Sequence, residues 1–291
     1  VTVVVEAAPP KLNLALHVRR RRADGYHDIE TLFAFCRDGD VVTVADAERD
    51  AFRITGPFAA ALLHPGGGGG VVREDDAATD WASDNLVTRA ADAFRAAFGI
   101  VQPCAIALDK NLPVASGIGG GSADAAATLR ALARRHGVAA GDPRLVSIAA
   151  ALGADVPACL LGRTAFGTGK GDALVPVDAW RDTPVLLINP GVGVSTAAVF
   201  GSWDGVDRGA LDPGAPLAGR NDLEAPARAL APVIGEIVAL LAAQPGVTLA
   251  RMSGSGATCF ALFDTLASRD AADAAVAGAA PNWWRLATTL A

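Results

Sequence analysis

Between a strand-like run, Ala105–Leu108, and a helical pattern that starts at Ser122 lies the segment Leu112-Pro113-Val114-Ala115-Ser116-Gly117-Ile118-Gly119-Gly120-Gly121-Ser122. Only backbone so poor in side chains can fold closely around a polyphosphate. A glycine loop that feeds a helix turns successive N–H groups and the positive end of the helix dipole toward one point, which suits a polyphosphate. The competing reading is a flexible connector. No Gly-Lys-Ser/Thr closes the segment, which excludes a Walker A loop, and Gly117-x-Gly119-x-x-Ser122 lacks the third glycine of a dinucleotide fingerprint.

The surrounding pattern predicts an α+β chain of two domains. Val1–Val5 is β-branched, and Leu12, Leu14, Leu16 and Val18 alternate with Lys11, Asn13, Ala15 and His17, which predicts a half-buried strand. Lys11 and Asn13 then share one face, about 7 Å apart. Further strands are expected at Ile29–Phe35, Val41–Ala45, Phe52–Thr55, Ala105–Leu108 and Leu160–Phe166. The run Gly66–Gly70 predicts a mobile loop without chemistry. Helices are expected over Val87–Phe98, with Ser83 or Asp84 as cap and Gly99 as stop, over Ser122–Gly137 with Arg134 and Arg135 complementing the dipole, and after Asp142-Pro143 up to Gly153. A buried strand Pro184–Ile188 opens a second unit, with the boundary set near Asp178, giving domains 1–177 and 178–291. The second continues with a helix at Pro232–Ala243, strands Val247–Met252 and Thr258–Phe263, a helix Ser268–Gly278 and a strand Trp284–Thr289, an order that fits a ferredoxin-like α/β sandwich.

Composition narrows the function classes. Apolar residues make up 51% and charged residues 19% of 291, enough for packed interiors. A net charge of −6 gives no electrostatic footprint for nucleic acid, so an anionic ligand must be held locally. Arg19–Arg22 is the one basic cluster, read as a solvated strand end or as steering for an anion. Cys36, Cys104, Cys159 and Cys259 are far apart among apolar neighbours and form neither a zinc nor a disulfide pattern. With no secretory pattern at the start and no apolar run long enough to span a bilayer, the expectation is a cytoplasmic protein with no membrane and no nucleic-acid partner, a monomer or homodimer.

Several segments together carry a family resemblance. Pro113-x-x-Ser116-Gly117-Ile118-Gly119-Gly120-Gly121-Ser122 resembles the second signature motif of the GHMP kinases, in which the loop wraps ATP phosphates without a P-loop lysine. Pro10-Lys11-Leu12-Asn13-Leu14 followed by Arg22-x-Asp24-Gly25-Tyr26-His27 resembles the branch of that family whose acceptor is a cytidine-diphosphate sugar alcohol. Asp84-Asn85-Leu86-Val87 and Asp109-Lys110-x-Leu112-Pro113 are similar to its adenine-side segments, Leu152–Pro157 to its catalytic segment and Met252–Ala257 to its third glycine motif. The resemblance covers nearly the whole chain in the expected order. It implies the two-domain GHMP fold, with an N-terminal β/α ATP-binding domain, and phosphorylation of an alcohol by ATP with Mg²⁺. The chain departs at Pro10, Ser116, Ile118 and Asp124. Only Asp124 adds a charge near the expected phosphates, to be offset by Mg²⁺ or turned away.

By the same resemblance Lys11 and Asp155 form the catalytic pair, where the residues alone allow a solvated amine and a helix N-cap. An alcohol is a poor nucleophile, and phosphoryl transfer needs it placed in line and its proton accepted, which a carboxylate and a cation can supply. Asn85, Lys110, Pro113, Val114, Ala115, Ser116, Gly117, Ile118, Gly119, Gly120, Gly121 and Ser122 are implied for ATP. Asn13, Tyr26, His27, Thr196 and Phe200 are implied for the acceptor, with Tyr26 and Phe200 stacking on the base and His27 hydrogen-bonding it. Tyr26 as turn packing and Phe200 as a helix-packing residue are the plainer alternatives. For Mg²⁺, Ser122 and Asp155 are the candidates. Other expectations that the residues leave open are a GHMP kinase for homoserine or mevalonate and a non-catalytic nucleotide-binding protein on this fold.

Overall fold

The computed structural model describes residues 2–63, 78–79, 81 and 85–291. The Gly66–Gly70 run and the expected caps Ser83 and Asp84 lie outside them. The chain begins with β1 (Val3–Ala8), β2 (Lys11–Arg21), β3 (His27–Phe35), β4 (Asp40–Asp46), β5 (Ala51–Thr55), α1 (Ala59–Leu63) and β6 (Ala78–Thr79). It continues through α2 (Leu86–Phe98), β7 (Cys104–Asp109), α3 (Gly120–Arg135), α4 (Pro143–Leu152), α5 (Val156–Leu161), β8 (Ala165–Thr168) and β9 (Ala173–Pro176). The remainder is β10 (Pro184–Asn189), α6 (Thr196–Gly201), α7 (Glu224–Leu230), α8 (Val233–Ala242), β11 (Val247–Met252), β12 (Cys259–Phe263), α9 (Leu266–Ala279) and β13 (Trp284–Thr289). These elements form two compact units that interleave along the chain rather than meeting at one cut near Asp178.

The first unit comprises the described residues of the segments up to Pro10, Asp38–Val114 and Gly120–Gly162. Its sheet runs β1-β4-β7-β5-β6, antiparallel except where β5 pairs parallel with β7. Helix α2 buries Val87, Ala90, Ala91 and Phe94, and Phe98 stacks on Phe94 with ring centroids 4.5 Å apart. Its cap is Asn85, whose Oδ1 accepts from Val87 N–H at 2.9 Å, and Gly99 ends it in the left-handed region at φ 67°. Helix α4 starts as expected, with Asp142 Oδ1 accepting from Arg144 N–H at 2.9 Å. Helix α3 begins two residues before Ser122 and is alanine-rich because it is buried on most sides. Its last-turn arginines do more than complement the dipole: Arg134 pairs with Glu6 of β1 and Arg135 with Asp46 of β4.

The second unit comprises Lys11–Arg37, Ala115–Gly119 and Arg163–Ala291. One four-stranded sheet runs β2-β3-β8-β9; the other runs β11-β12-β10-β13, all antiparallel, with helices between β10 and β11 and between β12 and β13. That order is the split βαβ arrangement expected for a ferredoxin-like sandwich. Its core gathers Leu186, Ile188, Ile234, Ile237, Phe263 and Val276 together with Leu16 and Val18 of β2.

Two expectations fail for identifiable reasons. The strand expected over Leu160–Phe166 is split, because α5 runs on to Leu161 and Gly162 at φ 61° stops it before β8 begins at Ala165. And β2 is buried on both faces from Lys11 to Val18, not half-buried. Residues 217–222 lie beside it: Leu16 N–H donates to Arg220 O at 2.8 Å, Val18 N–H to Asp222 Oδ2 at 2.8 Å, and Arg251 reaches both Leu14 O and Gly219 O.

His17, on that strand, holds the same stretch in its neutral form: Nδ1–H donates to Gly209 O at 3.1 Å and Nε2 accepts from Arg220 N–H at 3.1 Å. Burial is the largest cause and lowers its pKa from 6.5, helped by the charge of Arg220, while the bond to Gly209 O and the charges of Asp222 and Glu30 pull the other way. A lowered folded value means that the unfolded chain binds the proton more readily. The contribution is therefore full above 6.5 and is lost as pH falls through that value toward the folded one. Urea midpoints should fall between pH about 7.5 and about 5.5, and His17→Gln should remove part of that slope. An unchanged slope would mean that His17 is not held neutral.

Candidate active site

In the second unit the Lys11 side chain is buried, and its Nζ donates to Asn13 Oδ1 at 2.9 Å and lies 5.1 Å from the centroid of the Phe33 ring. Asn13 Nδ2 donates to Thr31 Oγ1 at 2.8 Å, which donates to Ala15 O at 2.6 Å. These bonds fix the amide so that its oxygen faces the ammonium. The shared face expected of Lys11 and Asn13 is thus a hydrogen-bonded pair.

The same pair holds the glycine loop. Lys11 N–H donates to Ile118 O at 2.9 Å, Asn13 N–H to Ser253 Oγ at 3.2 Å, and Ser253 O–H to Gly117 O at 3.3 Å. Gly117 and Gly119 take positive φ, 77° and 65°, and so does Ala115 at 52°. A Cβ on Gly117 would lie 2.5 Å from Gly256 O, and one on Gly254 would lie 2.7 Å from Gly117 O. Ile118 is buried while Val114 and Ala115 are exposed, so the loop is pinned at its centre and open at one shoulder.

His27 and Phe200 come together in this unit, ring centroids 4.9 Å apart and tilted by 32°, with Trp203 edge-on to His27 at 5.7 Å. Arg21 Nε–H donates to His27 Nε2 at 3.4 Å, which leaves the proton of the neutral ring on Nδ1. Burial first and the Arg21 charge second lower the His27 pKa, so the neutral ring prevails at pH 7. Tyr26 is 53% exposed, with Lys170 Nζ 4.9 Å from its ring centroid. Thr196 opens α6 and its Oγ1 lies 2.9 Å from Ser255 Oγ. Phe200 is on that helix as its spacing suggested, yet it packs on a predicted site residue. Trp203, just past the end of that helix, was not singled out from the sequence, because its contact with His27 is supplied only by the fold.

In the first unit Lys110 is turned inward. Its Nζ donates to Asp40 Oδ2 at 2.5 Å and to Asp124 Oδ2 at 2.7 Å, and all three side chains are at most 3% exposed. Asp40 Oδ1 also accepts from the N–H groups of Asn111 and Leu112, at 2.5 and 2.8 Å. Burial pushes the Asp124 carboxyl up to about 8, against the pull of Lys110. The same burial opposes the Lys110 ammonium, but the two carboxylates outweigh it and raise its pKa. The added acid at Asp124 is therefore turned inward onto Lys110, where burial favours its neutral form. A Cβ on Gly120 would meet Lys110 Nζ at 3.1 Å, so that glycine's missing side chain faces this cluster. Asp155 stands at the N-terminus of α5, half-buried, and makes no capping hydrogen bond to it. Asn85 spends its Oδ1 on capping α2.

Family profiles match two stretches, the GHMP kinases N terminal domain over residues 85–163 and the GHMP kinases C terminal domain over 205–282. A 4-diphosphocytidyl-2-C-methyl-D-erythritol kinase of Rhizorhabdus wittichii is 57% identical, covering 98% of this chain and 94% of its own. The chain belongs to the GHMP kinase family. Among solved structures, a 4-(cytidine 5'-diphospho)-2C-methyl-D-erythritol kinase is similar with a TM-score of 0.79 at 32% identity, covering 98% of both chains. A homoserine kinase of Cytophaga hutchinsonii, at a TM-score of 0.70 and 18% identity over 99% of this chain and 95% of its own, shares the fold. As a GHMP kinase the chain uses ATP, and the two matched stretches fall on either side of Asp178. No helix among the described residues is long and apolar enough to cross a membrane.

The GHMP glycine loop can be tested for its packing. Gly117→Ala should destabilise by at least about 1–2 kcal/mol from the left-handed backbone alone, with the approach to Gly256 adding to this. Gly121→Ala would put its Cβ 3.5 Å from Leu86 Cδ1, an ordinary contact, and should be near neutral. Denaturant midpoints that do not separate the two variants would remove the close-packing account.

Proposed function

We infer that the chain transfers the γ-phosphoryl group of ATP to the C2 hydroxyl of 4-diphosphocytidyl-2-C-methyl-D-erythritol, giving the 2-phosphate, in the non-mevalonate route to isoprenoid precursors. The observation that carries this reading is the whole-length likeness to kinases named for that acceptor. The His27–Phe200 contact supports it, since an acceptor as small as homoserine or mevalonate has no aromatic base to stack.

In this reading the acceptor oxygen attacks the γ-phosphorus, the bond from that phosphorus to the β–γ bridging oxygen breaks, and ADP leaves. Asp155 takes the hydroxyl proton or orients it. Lys11, held by Asn13, places positive charge beside the negative charge on the oxygens of the transferring group. The glycine loop and the start of α3 hold the phosphates. Tyr26, His27 and Phe200 hold the base, with Nδ1–H of His27 as a donor, while Asn13 and Thr196 contact the rest of the acceptor. Ser122 and Asp155 offer the hard oxygen ligands that suit Mg²⁺, which when bound with ATP screens charge on the phosphate oxygens. The reaction would take place in the cytoplasm, with the chain as monomer or homodimer.

An assay of ADP release with three acceptors tests this. The cytidine-diphosphate sugar alcohol should be turned over, and homoserine and mevalonate hardly at all; efficient use of either of these would overturn the acceptor assignment. Stacking on an aromatic ring contributes roughly 1–3 kcal/mol per base, so Tyr26→Ala should weaken acceptor binding by roughly ten- to a hundred-fold with ATP affinity kept. Asp155→Asn should cut turnover about 100-fold or more while leaving ATP binding and folding intact. A turnover near that of the wild type would place the base elsewhere.

A further inference from the structure

We propose that Asp40, at the start of β4, is a positioning residue for ATP. With Lys110 and Asp124 it pins both points where the chain leaves for the 113–119 loop and returns from it, and Lys110 acts through this anchor rather than on the phosphates. The proposal rests on the kinase reading above.

The geometry is that of a clamp on backbone. Asp40 accepts from two consecutive main-chain N–H groups, Asn111 and Leu112, at the exit from β7, and from Lys110 Nζ through its other oxygen. Lys110 Nζ then reaches Asp124 in the first turns of α3. Three stretches of the chain thereby meet at one buried ammonium. A carboxylate with both oxygens engaged by fixed donors has little freedom, and neither does the backbone it holds. Gly120, the first residue of α3, has only 3.1 Å between its missing Cβ and Lys110 Nζ, so the helix start rests directly on the ammonium. The N–H groups at that helix start are the ones a phosphate would meet, and a shift there of a fraction of an ångström changes how they converge. Lys110 would have to break two buried charge-assisted bonds to reach a phosphate itself.

This reading and a direct lysine–phosphate contact make opposite predictions for one substitution. If Lys110 binds phosphate, removing the charge of Asp40 frees the amine, and ATP should bind as well or better. If Asp40 positions the loop, Asp40→Asn should weaken ATP binding by about tenfold or more. The measurement is calorimetric ATP affinity of wild type, Asp40→Asn, Lys110→Met and the double variant, with folding checked by circular dichroism and KM for the acceptor read alongside. The single variants should each lose ATP affinity with acceptor KM within about twofold of wild type, and the double should lose little more than the worse single, because the groups act as one unit. Should Asp40→Asn not fold, Asp40→Glu keeps the charge, displaces it by one methylene and is expected to lose ATP affinity in the same way. Unchanged or tighter ATP binding, or equal losses for ATP and acceptor, overturns the proposal. A wild type that does not bind ATP sinks the kinase reading itself, which is a different outcome from a wild type that binds and variants that bind equally well.

Discussion

Much of the second unit's site depends on backbone meeting backbone. Gly117 and Gly256 approach so closely that a single methyl group on Gly117 would lie 2.5 Å from a carbonyl oxygen, and Gly254 meets Gly117 O in the same way. Because no side chain intervenes, main-chain groups of residues 116–118 are within reach of β2 and of the turn before β12, and they are held there by Lys11 N–H, Thr258 N–H and Ser253 O–H. A loop of this composition has a large conformational entropy to lose, and here the loss is taken on folding. Three residues with φ between 52° and 77° within five positions show how far the backbone departs from what ordinary side chains prefer.

The chain carries a net charge of −6, so the placement of its cations matters more than their number. The run Arg19–Arg22 is mostly neutralised where it stands: Arg19 lies 3.2 Å from Asp207, and Arg20 and Arg22 both bond Asp28, at 2.5 and 2.8 Å. Exposed pairs of this kind stabilise by about 0–1 kcal/mol each, and they leave little unpaired charge for steering an anion. Arg21 differs, because its guanidinium faces His27 and sets which ring nitrogen carries the proton. One basic run thus divides between ion pairs at a strand end and one residue acting on a recognition side chain.

Local patterns found most of the elements and few of the partnerships. Asp142-Pro143 and Gly153 bounded α4, and the apolar stripe from Val87 to Phe98 gave α2, because caps and periodicity are properties of neighbouring residues. The ferredoxin-like order followed from the strand and helix succession after Pro184. The double burial of β2 was hidden, since nothing in Lys11–Val18 records that residues some two hundred positions later run beside it. Asp40 was hidden for the same reason. In an Asp-Gly-Asp stretch it reads as a turn acid, and its partners Lys110 and Asp124 are supplied only by the fold. Lys110 was noticed as a site residue, but a lysine's sequence neighbours do not say whether its amine points to solvent or inward.

A buried lysine with two carboxylates would be costly if all three groups were charged, because desolvation of the second acid is not matched by a second cation. The fold resolves this by protonation. Burial first, and then the charge of Asp40, raise Asp124 to about 8, so at neutral pH Asp124 keeps its proton and Lys110 and Asp40 form the ion pair. The cluster is then neutral overall, and the first turns of α3 carry no net negative charge from it. Were Asp124 ionised, a uniform −1 would sit beneath the N-terminus of that helix and cancel part of the positive end of its dipole. Burial thus keeps an acid that looks ill-placed beside an anion site from opposing it, and the backbone N–H groups are left to carry the attraction.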